Sequence, residues 1–220
     1  MLGAVIFDMD GVIVDSEHLH LQAERKLFAS FGIKVTDKEL QSYMGGAPQM
    51  FLRHYIDHYR LNMSVGQLYS IHKKNLFQLY QEKVELLPGL LELIIALKND
   101  FIDLAVASSS DRELIFLVLE KFDLFPYFKV IISGGEVSRP KPSPDIFIEA
   151  LRRLDCNVSE SVVIEDSSAG VKAAKSAGIT CVGFRSPHSG NQDLSMADLI
   201  IDDLASINKN RLEALIHSIK

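Results

Sequence analysis

The feature that most constrains this chain is a short apolar run that ends in two aspartates. Residues 2–6 are apolar and include β-branched side chains, and Asp8, Asp10 and Gly11 follow closely. An apolar run without polar alternation predicts a buried strand of a parallel sheet. Side chains at i and i+2 of an extended backbone point to the same side, so we expect Asp8 and Asp10 to face one spot. Two carboxylates there repel each other, which predicts a shared proton or a bound cation.

Two interpretations of this acidic end remain open at this point. Aspartate and glycine are common turn residues, so the segment is compatible with an ordinary turn after a strand. Carboxylates are also the hard oxygen ligands that Mg²⁺ prefers, and Gly11 permits a sharp change of backbone direction. The rest of the chain decides between a turn and a metal site.

The composition favours a globular protein and argues against several classes of partner. Of 220 residues, 47% are hydrophobic, the net charge is -6, and no long Lys/Arg run occurs. The chain can therefore form a core, and we expect no nucleic acid and no membrane surface as partner. Cys156 and Cys181 are far apart and outside metal or disulfide spacings, which favours a reduced, cytoplasmic setting. We expect neither a signal peptide nor a membrane span.

The residues that follow Asp15 have helical periodicity for about seventy residues. Thr36 with Glu39, and Ser64 with Gln67, have the spacing of capping boxes that open helices. Together these signals predict a small helical bundle. Its helices are predicted at residues 17–31, from residue 36 towards Gly45-Gly46, from residue 48 onward, and from residue 64 to about residue 81.

From Pro88 onward the pattern alternates between helix and strand, which predicts right-handed βαβ units. The first strand needs the same sheet, so the fold class is predicted as α/β, a doubly wound parallel sheet with an inserted helical bundle. Residues 1–15 and 88–220 would form the sheet domain and residues 16–87 the bundle, with a two-stranded hinge between them. The later strands are predicted at residues 103–108, 129–133, 161–164, 181–184 and 199–201, and the helices at residues 90–97, 112–122, 145–154 and 169–177.

Polar residues follow several of these strands, at the edge where α/β sheets bind ligands. Ser108 to Ser110 precede a helix, whose free N–H groups favour a phosphate, although serines also cap helices. Lys141 lies between two prolines that fix its backbone. Glu165 and Asp166 precede another helix, where acidic residues are favourable in any case. Combined with the first pair of aspartates, they predict a site with three or four carboxylates that requires a divalent cation.

Such a site has the groups needed for phosphoryl transfer. A metal and Lys141 would offset the charge of a phosphate, and Ser108 with nearby amides would bind its oxygens. Asp8 is the predicted nucleophile, which forms an aspartyl-phosphate. Asp10 is the predicted acid and base, a role typically worth ~10²–10⁴ in rate.

With these motifs in their order, the chain resembles the haloacid dehalogenase superfamily of phosphohydrolases, in the helical-cap branch of β-phosphoglucomutases and sugar phosphatases. The motifs are Asp8 to Val12, Ser108, Lys141 in its Lys-Pro-x-Pro-Asp context, and Glu165-Asp166-Ser167 with Ala169-Gly170. The resemblance covers essentially all of the chain. It implies a Rossmann-like core with an inserted cap domain, and an aspartate at position 10 argues against a true dehalogenase.

The resemblance also implies roles for individual residues. Mg²⁺ would be held by the carboxylates of Asp8 and Asp166 and by the main-chain carbonyl of Asp10, with Glu165 as ligand or support. Ser108, Lys141 and the amide of Ser109 would bind the transferring phosphate. In the cap, His20 and Lys74 fall where the mutases contact substrate, although both are compatible with ordinary helix-surface residues.

The resemblance favours a Mg²⁺-dependent phosphatase of small phosphorylated metabolites, in particular sugar phosphates, as a monomer or weak homodimer. The alternative is a β-phosphoglucomutase, but the mutases place an arginine shortly after the cap-loop glycine. Here Gly45-Gly46 leads into Pro48, and the nearest arginine is Arg53. Without that arginine a bisphosphate would be held less well, which favours hydrolysis. The spacing of the acidic residues disfavours a receiver domain, and a non-catalytic binding protein would not need both Asp8 and Asp10.

Overall fold

The structure is a computed structural model that describes residues 1–36, 39, 40 and 48–218. It divides into two compact units, one formed by Met1–Asp15 with Glu85–Lys220 and the other by Ser16–Val84. The first unit therefore contains both the start of the chain and its longer second part. The strands, in chain order, are β1 (Ala4–Phe7), β2 (Val14–Asp15), β3 (Glu85–Leu86), β4 (Asp103–Ser108), β5 (Val130–Ser133), β6 (Ser161–Glu165), β7 (Thr180–Phe184) and β8 (Leu199–Ile201).

A six-stranded parallel sheet forms the centre of the larger unit, in the order β5-β4-β1-β6-β7-β8. Strand β1 is paired on both sides, with β4 and β6, and all four of its residues are fully buried. Only a strand covered on both faces can be apolar throughout, which explains its sequence. The order reverses beside β1, as in doubly wound sheets, and the predicted fold class is confirmed.

The helices of this unit alternate with the strands and pack on the sheet. Their predicted bounds are right to within two residues, but the last helix was not predicted. It buries Leu212 and Ile216, which are four residues apart and so lie on one helical face. The helices are Leu90–Asn99, Arg112–Lys121, Asp145–Leu154, Ser168–Ser176 and Lys209–Ser218, with short 3₁₀ turns at Phe125–Tyr127, Gly134–Glu136, Val158–Glu160 and Leu204–Ser206.

The Ser16–Val84 unit is helical, as the periodicity predicts. Within the part of this unit that the structure describes, the longer helices are Glu17–Ala29, Pro48–Tyr59 and Val65–Lys83, and residues 39–40 are also helical. The capping box of Ser64 and Gln67 is present, with Gln67 N donating to Ser64 Oγ at 3.3 Å. The predicted capping box of Thr36 and Glu39 is also present, since the amide of each residue donates to the side chain of the other. The end predicted for the helix that this box opens, at Gly45-Gly46, lies outside the described residues. Its small core is formed by Leu27, Phe28, Leu40, Leu52, Tyr55 and Leu68.

The two connections to the helical unit lie side by side in the larger unit. Strands β2 and β3 are antiparallel there, with Val14 opposite Leu86 and Asp15 opposite Glu85. Asp15 Oδ2 also lies 2.7 Å from Nδ1 of His188. That these connections act as a hinge stays a prediction. Among the described residues, no helix combines the length and apolarity that a membrane crossing requires.

Candidate active site

The centre of the site is Asp8, directly after the central strand β1. Its amide donates to the carbonyl of Ile164 at 3.0 Å, which extends the pairing with β6, and only 7% of the residue is exposed. Gly11 then turns the chain with a φ of 76°. A Cβ on Gly11 would overlap the carboxylate of Asp166. The turn after β1 therefore needs glycine for its conformation and for the space that an acidic side chain occupies.

Lys141 joins two of the predicted acidic residues. Its Nζ donates to Asp8 Oδ1 at 2.5 Å and to Glu165 Oε1 at 2.6 Å. It also donates to the carbonyl of Ala107 at 3.1 Å and lies 5.0 Å from the ring centroid of Phe147. With three N–H donors and three oxygen partners, the ammonium is held in one place. The side chain of Lys141 is only 6% exposed, so these ion pairs are shielded from water.

The segment that carries Lys141 is held by its own polar contacts. Arg139 donates from Nε and Nη2 to the two oxygens of Asp145, at 3.1 and 2.8 Å. Ser143 Oγ donates to Asp145 Oδ1 at 2.8 Å, and the Ser143 amide donates to the carbonyl of Pro140 at 2.9 Å. Two-point arginine contacts fix geometry as well as charge. Hydrogen bonds between residues before Lys141 and residues after it therefore hold the loop that precedes the helix Asp145–Leu154.

Glu165 ends strand β6 and is fully buried. One oxygen accepts from Lys141, and the other, Oε2, accepts from the amide and the hydroxyl of Ser167 at 3.0 and 2.9 Å. Ser167 Oγ in turn accepts from the Gly170 amide at 3.0 Å and so caps the helix Ser168–Ser176. Oxygen atoms of Asp8, Glu165 and Asp166 all lie within 4.8 Å of one another.

The serines after β4 connect the predicted phosphate site to Asp10. Ser108 is almost fully buried, and its Oγ accepts from the Ser110 amide at 3.0 Å. Ser110 Oγ donates to Asp10 Oδ2 at 2.6 Å. Ser109 packs its backbone against Gly134, where a Cβ would come within 2.7 Å of the Ser109 carbonyl oxygen. The loop is therefore closely packed between neighbouring segments.

Burial dominates the electrostatics of the site. It raises the pKa of Asp8 to about 8; Lys141 opposes this shift, while Glu165 and Asp10 add to it. Burial also disfavours the charged form of Lys141, but the negative charges of Asp8 and Glu165 outweigh it and raise the pKa of Lys141 above its usual value. One ammonium does not balance the carboxylates around it, so Asp8 takes up a proton unless another cation is present.

The structure brings together most of the residues that the sequence singles out. Asp8, Lys141, Glu165 and Asp166 form one buried cluster, and Ser108 is linked to Asp10 through Ser110. Their catalytic and metal-binding roles stay predictions. The sequence motif contains Ser167 and Gly170, but it does not predict that Ser167 holds Glu165, that Gly170 lies against Glu165, or that Ser110 contacts Asp10. Ser167 follows the acidic pair directly, and that adjacency was the available signal.

The two predicted cap residues lie in the Ser16–Val84 unit. His20 Nε2 is 3.0 Å from the hydroxyl of Tyr80, with the two rings edge to face at 5.9 Å. Tyr80 is fully buried, so His20 contributes to the packing of the helical unit. Lys74 is exposed on the helix Val65–Lys83. Their predicted contact with substrate stays a prediction.

A buried lysine bridges two carboxylates at the ends of adjacent parallel strands, at the edge where α/β sheets bind ligands, and sequence comparison gives the family. The profile of the haloacid dehalogenase-like hydrolases matches residues 5–184. The chain belongs to this family.

Curated relatives include a phosphatase. The chain is 34% identical over 176 residues to "Phosphorylated carbohydrates phosphatase" of Thermotoga maritima, which covers 80% of this chain and 82% of that protein. It is 33% identical over 220 residues to "Protein SUPPRESSOR OF QUENCHING 1, chloroplastic" of Arabidopsis thaliana, covering 95% of this chain. The match spans only 20% of the Arabidopsis protein's length.

Solved structures share the fold over nearly the whole chain. CbbY from Rhodobacter sphaeroides, in complex with xylulose-(1,5)bisphosphate, has a TM-score of 0.85 and 27% identity, covering 93% of this chain and 96% of that one. β-Phosphoglucomutase from Clostridium difficile has a TM-score of 0.84 and 26% identity, covering 100% of this chain and 99% of that one. Both a sugar-bisphosphate complex and a mutase therefore occur among proteins of similar structure.

Proposed function

We propose that this protein is a Mg²⁺-dependent phosphatase that hydrolyses phosphate monoesters of small carbohydrates through an aspartyl-phosphate on Asp8. The observation that carries the proposal is Lys141 Nζ, which bridges the buried carboxylates of Asp8 and Glu165 at 2.5 and 2.6 Å. Lys141 places positive charge where a phosphate would approach Asp8. The similarity to a phosphatase of phosphorylated carbohydrates supports the same class of substrate.

The donor set of the site fits Mg²⁺. Oxygens of three buried carboxylates lie within 4.8 Å of one another, and such hard ligands suit this ion. We propose that Asp8, Asp166 and the main-chain carbonyl of Asp10 hold it. Both oxygens of Glu165 already accept from Lys141 or Ser167, which favours a supporting role for Glu165. When bound, Mg²⁺ would supply charge that stabilises the transferring phosphoryl group and would favour ionised Asp8.

In the proposed reaction, a carboxylate oxygen of Asp8 attacks phosphorus and the bond from phosphorus to the sugar oxygen breaks. Protonated Asp10 gives its proton to that sugar oxygen. A water then attacks the aspartyl-phosphate and gives a proton to Asp10, and the bond between phosphorus and the Asp8 oxygen breaks. Inorganic phosphate leaves and both aspartates regain their starting forms. Lys141, Ser108 and the Ser109 amide would hold the phosphate oxygens through both steps.

The roles of the two units are part of this proposal. We propose that the first unit is the catalytic core and that Ser16–Val84 is a cap that affects substrate choice, with His20 and Lys74 as its test positions. A second candidate function is β-phosphoglucomutase activity, which the structural similarity to the Clostridium difficile enzyme favours. The sequence argument against it concerns residues 45–49, most of which lie outside the described residues.

The test measures inorganic phosphate and isomerised product together. Purified protein with Mg²⁺ is given β-glucose 1-phosphate and a trace of α-glucose 1,6-bisphosphate, beside a panel of sugar monophosphates and bisphosphates including xylulose 1,5-bisphosphate. We expect phosphate release that disappears in Asp8→Asn. Accumulation of glucose 6-phosphate without phosphate release would establish the mutase instead. Activity that survives in Asp8→Asn would overturn both.

Binding of Mg²⁺ is tested by an experiment that does not depend on enzymatic turnover. Mg²⁺ binding to the folded protein should raise the melting temperature, because a ligand that binds only the folded state stabilises it. Asp166→Asn should abolish this rise without lowering the melting temperature of the metal-free protein. An equal rise in the variant would contradict the proposed ligand set.

A further inference from the structure

The hydroxyl of Ser110 lies 2.6 Å from Asp10 Oδ2, across 100 residues of sequence. We propose that Ser110 is a positioning residue for the proposed reaction, and that its hydroxyl keeps the Asp10 carboxyl in the orientation needed for proton transfer. The inference rests on the proposed function of Asp10. It concerns the hydroxyl alone, since the Ser110 amide makes a separate contact with Ser108.

The backbone of Ser110 is fixed by the sheet, so its hydroxyl has a defined position. Strand β4 is paired with β1 up to Val106 and with β5 up to Ser108, which lies opposite Ser133. Two residues on, the Ser110 amide donates to Ser108 Oγ at 3.0 Å. The intervening Ser109 has its backbone against Gly134, with no room there for a side chain. A hydroxyl on such a segment can restrain a carboxylate more than one on a free loop would.

The carboxylate that it holds is beside the proposed nucleophile. Asp10 is two residues beyond Asp8, and its charge acts on Asp8. A hydrogen bond from Ser110 to one oxygen is compatible with both forms of Asp10, since a protonated carboxyl carries its proton on the other oxygen. Asp10 could therefore give and take a proton without losing this contact. Without the hydroxyl, rotation of the Asp10 side chain would no longer be restrained on this side.

Substrates with different leaving groups distinguish a role in positioning Asp10 from a merely structural role of Ser110. A sugar alkoxide needs a proton from Asp10 as it leaves, whereas p-nitrophenolate is stable without one. In single-turnover experiments, Ser110→Ala should slow cleavage of a sugar phosphate about 10- to 100-fold, the range for losing a hydrogen bond to a charged group. The first-turnover release of p-nitrophenolate from p-nitrophenyl phosphate should change less than about 3-fold, and Ser110→Thr should restore the sugar phosphate rate.

The control variant is Ser206→Ala. Ser206 is exposed, and its Oγ donates to the carbonyl of Asp203 at the same 2.6 Å, but it is remote in sequence from every proposed catalytic residue. It should leave both rates unchanged. Binding of BeF₃⁻ with Mg²⁺, followed by calorimetry, should be the same in Ser110→Ala and the unmodified protein. That result would show an intact phosphate site and a folded variant.

A double variant decides whether Ser110 acts through Asp10. If it does, adding Ser110→Ala to Asp10→Ala will not lower the steady-state hydrolysis of p-nitrophenyl phosphate further. Additive losses, or equal slowing of both substrates in the single variant, would overturn the inference. Asp8→Asn is measured in parallel. If Asp8→Asn keeps activity, the proposed function itself fails, which is a different outcome from an inactive Asp8→Asn beside an unaffected Ser110→Ala.

Discussion

Gly170 lies so close to the carboxylate of Glu165 that a Cβ at position 170 would overlap it. The Glu165 carboxylate cannot move aside freely, because Lys141 and Ser167 bind its two oxygens. We therefore expect Gly170→Ala to displace Glu165, to disturb Lys141 and to lower kcat at least about 100-fold. Such a loss is in the range of removing one preorganised electrostatic contact. Steady-state phosphate release measures it.

The matched control is Gly66→Ala in the first turn of the helix Val65–Lys83. Nothing lies within 4 Å of a Cβ built there. Alanine should keep full activity and stabilise the protein by about 0.5–1 kcal/mol, since glycine in a helix is entropically unfavourable. If both alanine variants behave alike, the close packing at Gly170 has no functional importance.

Arg139 provides a second test, because it closes the loop that carries Lys141. We expect Arg139→Ala to raise KM for the sugar phosphate several-fold, since the lysine segment loses its two-point contact with Asp145. Arg152→Ala is the counterpart. Arg152 is similarly exposed and bonds Glu149 through the same two atoms, Nε and Nη2, but on the helix surface. A rise in KM for both variants would point to general loss of positive charge.

Glu24 should make stability depend on pH. Burial raises its pKa to about 7; His20 opposes the shift and Glu17 adds to it. Between the unfolded pKa of about 4.5 and a folded pKa of about 7, the folded state binds more protons, so stability falls as pH rises through this window. Urea unfolding should show Glu24→Gln to be more stable than the unmodified protein at pH 8 but not at pH 4. An equal effect of Glu24→Gln at pH 8 and at pH 4 would contradict this role of Glu24.

Phe101 offers a test of backbone strain. It has a φ of 61° and is 94% exposed at the end of the helix Leu90–Asn99, where glycine is the preferred residue. A left-handed residue with a Cβ costs roughly 1–2 kcal/mol, and glycine gives part of that back as unfolded-state entropy. Phe101→Gly should stabilise the protein by about 0.5–1 kcal/mol in urea unfolding. Phe101→Ala keeps the Cβ, so a similar gain there would refute the strain argument.

Local patterns in the sequence predict most of the helices and strands. The apolar run before Asp8 predicted a central strand because burial on both faces leaves no polar alternation, and the Ser64–Gln67 spacing predicted a capping box that is present. The apolar pattern predicts that Glu165 follows its strand, but Glu165 pairs opposite Gly183 and belongs to β6. The last residue of a strand is set by its pairing with the neighbouring strand, and the sequence pattern of one segment carries no information about that pairing.

The sequence predicts which residues form the candidate site, but it does not predict the hydrogen bonds and ion pairs between them. Strand ends in a parallel sheet meet at one edge, so Asp8, Lys141 and Glu165 could be grouped from topology alone. That one ammonium bonds both carboxylates depends on contacts across 133 and 24 residues of sequence. The contact of Ser110 with Asp10 is equally long-range, and no periodicity encodes such a pairing.

The position of β1 has a consequence for how the protein is made. This strand leaves the ribosome long before its partners β4 and β6, which begin at residues 103 and 161. Asp8 therefore acquires its surroundings only after most of the chain has been synthesised. Nascent chains that stop before residue 165 should lack a complete reaction centre, and until then the apolar first strand has to be kept from pairing elsewhere.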